Sequence, residues 1–304
     1  IPDLASNKEE RLNLSTMQST FRLIFTGVAM VLPGILISKL GVVNGVLNTE
    51  VGIRKTVILI TILSVLGIYA CIFFLKEKQL TQNRPKTESL GFMKSISHLK
   101  DKEIILYFLG YFFFFCGFNI LRGDLTYYLS AVMQKDIKYL TVISVVLFGM
   151  AGLFFPITNK FGKKYSYKKI LIVDMLLLII GTFGLLFINK NNSIFAYLLF
   201  VICGTGLSGA AFIFPQAMLS EISAKLSETK KVSLEGFMFG IQGMFLKLAF
   251  LVQQVVQSTL LVVGNQNVQN GVKGATEIGV KVTLVVALVL FGVSLFFYNL
   301  KKED

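Results

Sequence analysis

Residues 237–263 read FMFGIQGMFLKLAFLVQQVVQSTLLVV, a run of 27 residues whose only charge is Lys247. Its length and apolarity predict a helix that crosses a bilayer. Counted from Ser233, Lys247 lies about 14 residues in, or about 21 Å along the axis. That is well inside a hydrocarbon core of roughly 30 Å. An ammonium group there costs roughly 2.5–3.5 kcal/mol on insertion scales, so it must meet protein, water or a carboxylate. Its stem is too short to reach the interface by snorkelling. Two readings are open: a lysine that acts on a bound ligand, or half of a structural ion pair. Along the same helix Gly240, Gly243, Lys247, Gln254 and Ser258 recur at spacings of three, four, seven and four. They form one small, polar stripe, which suits a cavity wall better than a lipid face.

The rest of the chain repeats the apolar pattern. Windows near 18–40, 54–75, 104–131, 138–158, 169–188, 194–218, 234–263 and 279–300 are each long enough to span a membrane. Mean hydropathy is +0.70 and only 15% of residues are charged, against about 25% in soluble domains. Backbone groups in lipid must be satisfied within helices or closed barrels, and uninterrupted apolar runs select helices. The expectation is an all-α integral membrane protein with eight transmembrane helices.

A net charge of +13 would raise nucleic-acid binding in a soluble protein. Here 20 of the 30 basic residues fall in the amino-terminal flank, the 76–103 loop, the connections near 160–169 and 225–231, and the tail. The alternate connections hold eight, and Arg122 and Lys247 lie within helices. The positive-inside rule accounts for this asymmetry and puts both termini and the 76–103 loop in the cytoplasm, with no nucleic-acid partner. Cys71, Cys116 and Cys203 each sit in an apolar window, so no disulfide framework is expected. The chain begins Ile1-Pro2-Asp3, which reads as the interior of a longer protein. The polar stretch 76–103, which includes Pro85 and His98, separates two helices (1–75) from six (104–304). His98 reads as a solvated loop side chain. Six helices after a basic central loop suit one half of a two-bundle transporter.

Several short motifs carry more information. Asn159-Lys160-Phe161-Gly162-Lys163-Lys164 resembles the cytoplasmic loop signature of the major facilitator superfamily, with Asn159 where that signature has Asp. Asp174 could pair with these lysines. Gly204 and Ser208, four apart, allow close helix packing, and Pro33 and Pro215 allow kinks. Ser220-Glu221-Ile222, then Glu235-Gly236, then Gly240-Ile241-Gln242-Gly243-Met244-Phe245-Leu246-Lys247 resembles the melibiose permease family of glycoside–pentoside–hexuronide:cation symporters. The match runs without gaps at Glu221, Glu235, Gln242, Met244 and Lys247. Glu10-Arg11-Leu12-Asn13-Leu14 is similar to the Glu-Arg loop before that family's fifth helix. Ala224 departs from it, standing where a second Asp is common.

The resemblance implies helices five to twelve of a twelve-helix major facilitator bundle in the cell membrane. It implies symport of a sugar with a cation, sodium or proton, by alternating access, and no cofactor beyond that ion. The family's cation-binding carboxylates belong to helices two and four, which this chain does not include. Lys247, Gln254, Gln242, Arg122, Asp124 and Tyr127 are candidates for the substrate and cation site. Asn159, Lys160, Gly162, Lys163, Lys164, Glu221 and Glu235 are candidates for the gating loops. Arg122 and Asp124 are two apart and point about 200° from each other on a regular helix. Either Gly123 breaks that helix around a ligand, or both charges sit near the outer interface. The rival readings are another major facilitator transporter, for a lipid, drug or organic ion, and a polytopic membrane enzyme. The enzyme reading lacks a catalytic His pair, carboxylate pair or metal-spaced Cys in the apolar windows.

The orientation is testable with cysteines placed at Asn83 and Asn191. An impermeant thiol reagent applied to intact cells should label position 191 and spare position 83; the reverse pattern would invert the topology.

Overall fold

The computed structural model describes residues 8–43, 45–74, 88–89, 101–135, 139–230, 232–264 and 274–300. Every apolar window falls on a helix: α1 (Lys8–Leu40), α2 (Thr49–Phe74), α3 (Lys102–Tyr127), α4 (Tyr139–Lys164), α5 (Tyr167–Leu185), α6 (Ile194–Leu207), α7 (Phe214–Lys230), α8 (Glu235–Leu260) and α9 (Glu277–Leu300). A π-helical segment, Tyr128–Val132, extends α3, and a second, Ser208–Ile213, joins α6 to α7. The helices therefore make eight spans among the described residues. Six are long and apolar enough to cross a membrane by length and composition alone. The strand pairings among the described residues are two residues long, β1 (Val42–Val43) with β2 (Val46–Leu47), and β3 (Glu88–Ser89) with β4 (Val232–Ser233).

Internal contacts divide the chain into two units, Thr20–Lys86 on the one hand and Ile1–Ser19 with Thr87–Asp304 on the other. In the smaller unit, Asn48 caps α2 by accepting from the Val51 N–H at 3.1 Å. Gly52 then lets α2 approach the Ile37 carbonyl, since a Cβ there would stand 2.6 Å from it. Beyond Thr56, α2 presents Ile58, Leu63, Leu66 and Phe73 outward, and none of its membrane window is buried. Such exposure would be untenable in water, but a leucine surface is no liability among lipid tails or against further helices.

The larger unit is built around α3, which is buried over most of its length, with Tyr107, Phe114, Phe115, Ile120 and Leu121 all at 2% exposure or less. Its glycines are notches for the aromatic rings of α9. A Cβ on Gly110 would lie 3.0 Å from the Tyr298 ring, and one on Gly117 would lie 2.9 Å from Phe291. Ser294 of α9 donates to the Gly110 carbonyl at 2.7 Å, so the contact is polar as well as close. Small residues serve the same end elsewhere, as van der Waals packing in lipid requires. Gly204 lies against the Leu147 carbonyl of α4, and Ser208 shares a 2.6 Å hydrogen bond with Thr158 of α4. Pro215 accounts for the second π segment. It removes the donor that would bond the Ala211 carbonyl in an α ladder, and just before it the Phe214 N–H reaches back five residues to the Gly209 carbonyl rather than four to Ala210.

Four expectations need correction. The helix does not break at Gly123, because α3 is continuous to Tyr127 and widens only afterwards. Residues 159–164 are not a loop but the last turns of α4, where lysines are favoured by the negative end of the helix dipole. Likewise Lys225 and Lys230 belong to α7, and the Glu10–Leu14 segment is already helical within α1. Most of the 76–103 stretch, including His98, lies outside the described residues.

Gly117→Val should overpack the α3–α9 contact and lower stability by about 1–3 kcal/mol. Gly292, on the same helix pair but with no heavy atom within 4 Å of where its Cβ would stand, should accept Val with a change within about 0.5 kcal/mol. Thermal unfolding of the detergent-purified variants measures both.

Candidate functional site

The stripe expected on α8 exists as one face. Gly240, Gly243, Lys247, Gln254 and Ser258 are all exposed, and no heavy atom lies within 4 Å of a Cβ built on Gly240 or Gly243. Met238, Gln242, Ala249, Gln253 and Gln257 form the opposite, buried face. Nothing else among the described residues of the larger unit covers the stripe, and no carboxylate among them pairs with Lys247. A helix this apolar gains nothing by turning glycines, an ammonium and an amide to hydrocarbon. The exposed face is therefore built to meet something polar. Tyr127, 39% exposed, and Arg122 also lie on the surface of this unit.

Gln242 is placed differently. It is buried, and its Nε2 donates to the Tyr107 hydroxyl at 2.7 Å, while that hydroxyl donates to the Pro215 carbonyl at 2.6 Å. A weaker second bond runs from Gln242 Nε2 to the same carbonyl at 3.4 Å. This three-helix junction ties α8, α3 and α7 together.

A second junction lies further along the same two helices. Gln257 Nε2 donates to Asp124 Oδ1 at 2.8 Å and to the Ile120 carbonyl at 3.3 Å. Gln253 Nε2 donates to Gln257 Oε1 at 2.6 Å. Gly123 makes the approach possible, because a Cβ there would lie 2.8 Å from both Gln253 Nε2 and Gln257 Oε1. Arg122 and Asp124 point apart as a regular helix requires: the arginine is exposed, the aspartate only 1% exposed. Gln253 and Gln257 escaped the sequence reading. The available signal was two amides four apart, off the Lys247 face, in an otherwise apolar run.

The candidate gating residues gather where the start of α1 lies on the end of α4. Asn159 Nδ2 donates to Thr16 Oγ1 at 2.7 Å and to Asn13 Oδ1 at 3.4 Å. Lys163 Nζ meets Glu9 Oε1 at 2.7 Å, with the two side chains 34% and 66% exposed. A pair so open to solvent adds no more than about 1 kcal/mol. The apolar contact matters more: Leu12 is fully buried, and a Cβ on Gly162 would stand 3.0 Å from it and 3.1 Å from Phe214. Ser19 completes the seam by donating to the Phe212 carbonyl at 2.7 Å. Lys160 and Lys164 are exposed, Lys164 lying over the Tyr165 ring. Glu221, half-buried on α7, lies within electrostatic reach of Tyr167, as does Arg11 of α1, and Glu235 is the first residue of α8.

Asp174 does not reach the lysines. It is 6% exposed in α5, where its carboxylate lies against the backbone of Gly209 in the second π segment and its Oδ2 keeps no hydrogen-bond partner. Gly206 and Gly209 both leave room for this approach.

The sequence model of a family described as MFS/sugar transport protein matches residues 1–302. No curated protein matches the chain.

Tyr107→Phe should cost about 1–3 kcal/mol, since it leaves the Pro215 carbonyl and the Gln242 amide short of a partner in the interior. The measurement is the melting temperature of purified protein, and an unchanged value would mean that the junction adds no stability.

Proposed function

Because the chain belongs to the MFS/sugar transport protein family, we propose that it takes part in sugar:cation symport of the glycoside type, working by alternating access. The observation that supports this reading is the open polar face of α8, with Lys247 at its centre. A fixed ammonium on a water-filled path can compensate a carboxylate and compete with a cation for it. Gln254 and Ser258 offer hydrogen-bond donors and acceptors to hydroxyl groups on the same face, and Gly240 and Gly243, on the other side of the lysine, leave room for a bulky polar solute. Asn159, Gly162 and Lys163, with the start of α1, then form a seam that opens and closes access at the side assigned to the cytoplasm. The transporter works in the cell membrane, with both chain ends of this segment inside.

Lys247→Ala should abolish most cation-driven accumulation of labelled glycosides in cells making the full-length protein. Lys247→Arg should also be impaired, because a planar fork does not replace a compact ammonium. Uptake is normalised to the amount of protein in the membrane, with and without a cation gradient. Normal accumulation with normal cation dependence in Lys247→Ala would remove Lys247 from the coupling site.

A further inference from the structure

The Asp124 carboxylate is in an arrangement that neither the packing nor the open face of α8 explains. It is 1% exposed, yet only Oδ1 is bonded, to Gln257, while Oδ2 has no hydrogen-bond partner. Thr283 of α9 lies beside it, but its hydroxyl proton goes to the Val280 carbonyl at 2.7 Å, which leaves its oxygen only able to accept. Five residues earlier on the same helix, and on another face of it, Asn119 is 3% exposed and its Nδ2 also lacks a partner. Unpartnered buried polar atoms are rare, and each calls for an explanation.

The surrounding charges do not supply one. On α3, Arg122 points to the surface two residues away. On α8, the facing side chains are the amides of Gln253 and Gln257, and Lys247 lies on the other face ten residues earlier than Gln257. On α9, Glu277 and Lys281 are paired with each other at 2.7 Å. Tyr128, in the adjoining π segment, gives its proton to the Leu185 carbonyl at 2.8 Å. Among the described residues, then, no cation is bonded to the free oxygen, and an isolated buried carboxylate is costly.

We propose that the cluster of Asp124, Gln253 and Gln257 binds a monovalent cation, with Asp124 as its charged ligand. The amides orient the carboxylate through Oδ1 and leave Oδ2 for the ion, either a proton held on that oxygen or a sodium ion coordinated by it. Gly123 is part of the design, because any side chain there would push the two glutamines away. The site lies in the bundle that also carries the Lys247 stripe. It is distinct from the carboxylates that the family resemblance assigns to upstream helices. The proposal rests on the cation-coupled reading above, which it deepens.

The test uses the full-length protein purified in detergent and does not need the transported solute. Melting temperatures are recorded in sodium chloride and in choline chloride at equal ionic strength, and the infrared carboxylic-acid band is followed from acid to alkaline pH. The wild type should gain stability with sodium, or lose a carboxylic-acid band on alkalinisation, and the two results tell a sodium ion from a proton. Asp124→Asn should lose whichever response the wild type shows. If that variant does not fold, Gln257→Met keeps the carboxylate but removes its donor, and should shift the midpoint of the response. No response in the wild type, an undiminished response in Asp124→Asn, or an unmoved midpoint in Gln257→Met would each overturn the site. The symport reading fails by a different measurement, glycoside accumulation that is indifferent to ion gradients.

Discussion

The constraint on which the larger unit depends is the burial of most of α3. In a bilayer the helices have no water to flee, so a central span is held by shape and by the few polar bonds that reach it. Helix α3 meets this with glycines at 110 and 117 that receive Tyr298 and Phe291, and with a dense run of rings from Tyr107 to Phe118. Its aromatic residues fill volume, while its glycines set how close the neighbours come. The small residues of α5 and α6 repeat the solution, with Gly181 against Cys203 and Gly184 against Leu199. What holds this unit is therefore contact geometry more than hydrophobicity, which every span has.

Two buried aspartates show how much the surroundings of the same group can differ. Asp174 faces the second π segment, where the backbone of Gly209 comes against its carboxylate and one oxygen keeps no hydrogen-bond partner. Asp124 lies on a regular α-helical stretch. Its neighbours are amides from another helix, which bond one oxygen and leave the other. The first carboxylate meets the backbone of a neighbouring span, and the second meets side chains that can orient it.

Helix positions and the transporter family were legible because they rest on signals that survive in one dimension: apolar windows of bilayer length, and the spacing of Gln242, Met244 and Lys247. The stripe on α8 was legible for the same reason, since a helical period of about 3.6 places Gly240, Gly243, Lys247, Gln254 and Ser258 on one face whatever packs behind them. Helix ends were not. The basic turns at Lys160–Lys164 and Lys225–Lys230 look like loops by polarity, yet they continue their helices into the interface, where charge is no obstacle. Partners across the bundle were also hidden. Nothing local to Gln257 says that it meets Asp124 rather than lipid, and nothing local to Asp174 says that it turns from the lysines to Gly209. Both depend on which helix lies alongside, which is a property of the assembled unit.

The two amide junctions have a mechanical meaning. They join α8 to α3 with the helices parallel: Gln242 faces Tyr107 near one end, and Gln257 faces Asp124 near the other. About fifteen residues separate the two glutamines, a span of about 22 Å, and Lys247 lies between them on the far side. A rod fastened at two such points cannot tilt or rotate about its axis without breaking a buried polar bond at one end. Any displacement of the lysine must then be shared by α3, and through the ring-filled notches by α9. The polar face is thus carried on a helix fastened to α3 at two separated points rather than on a free lever.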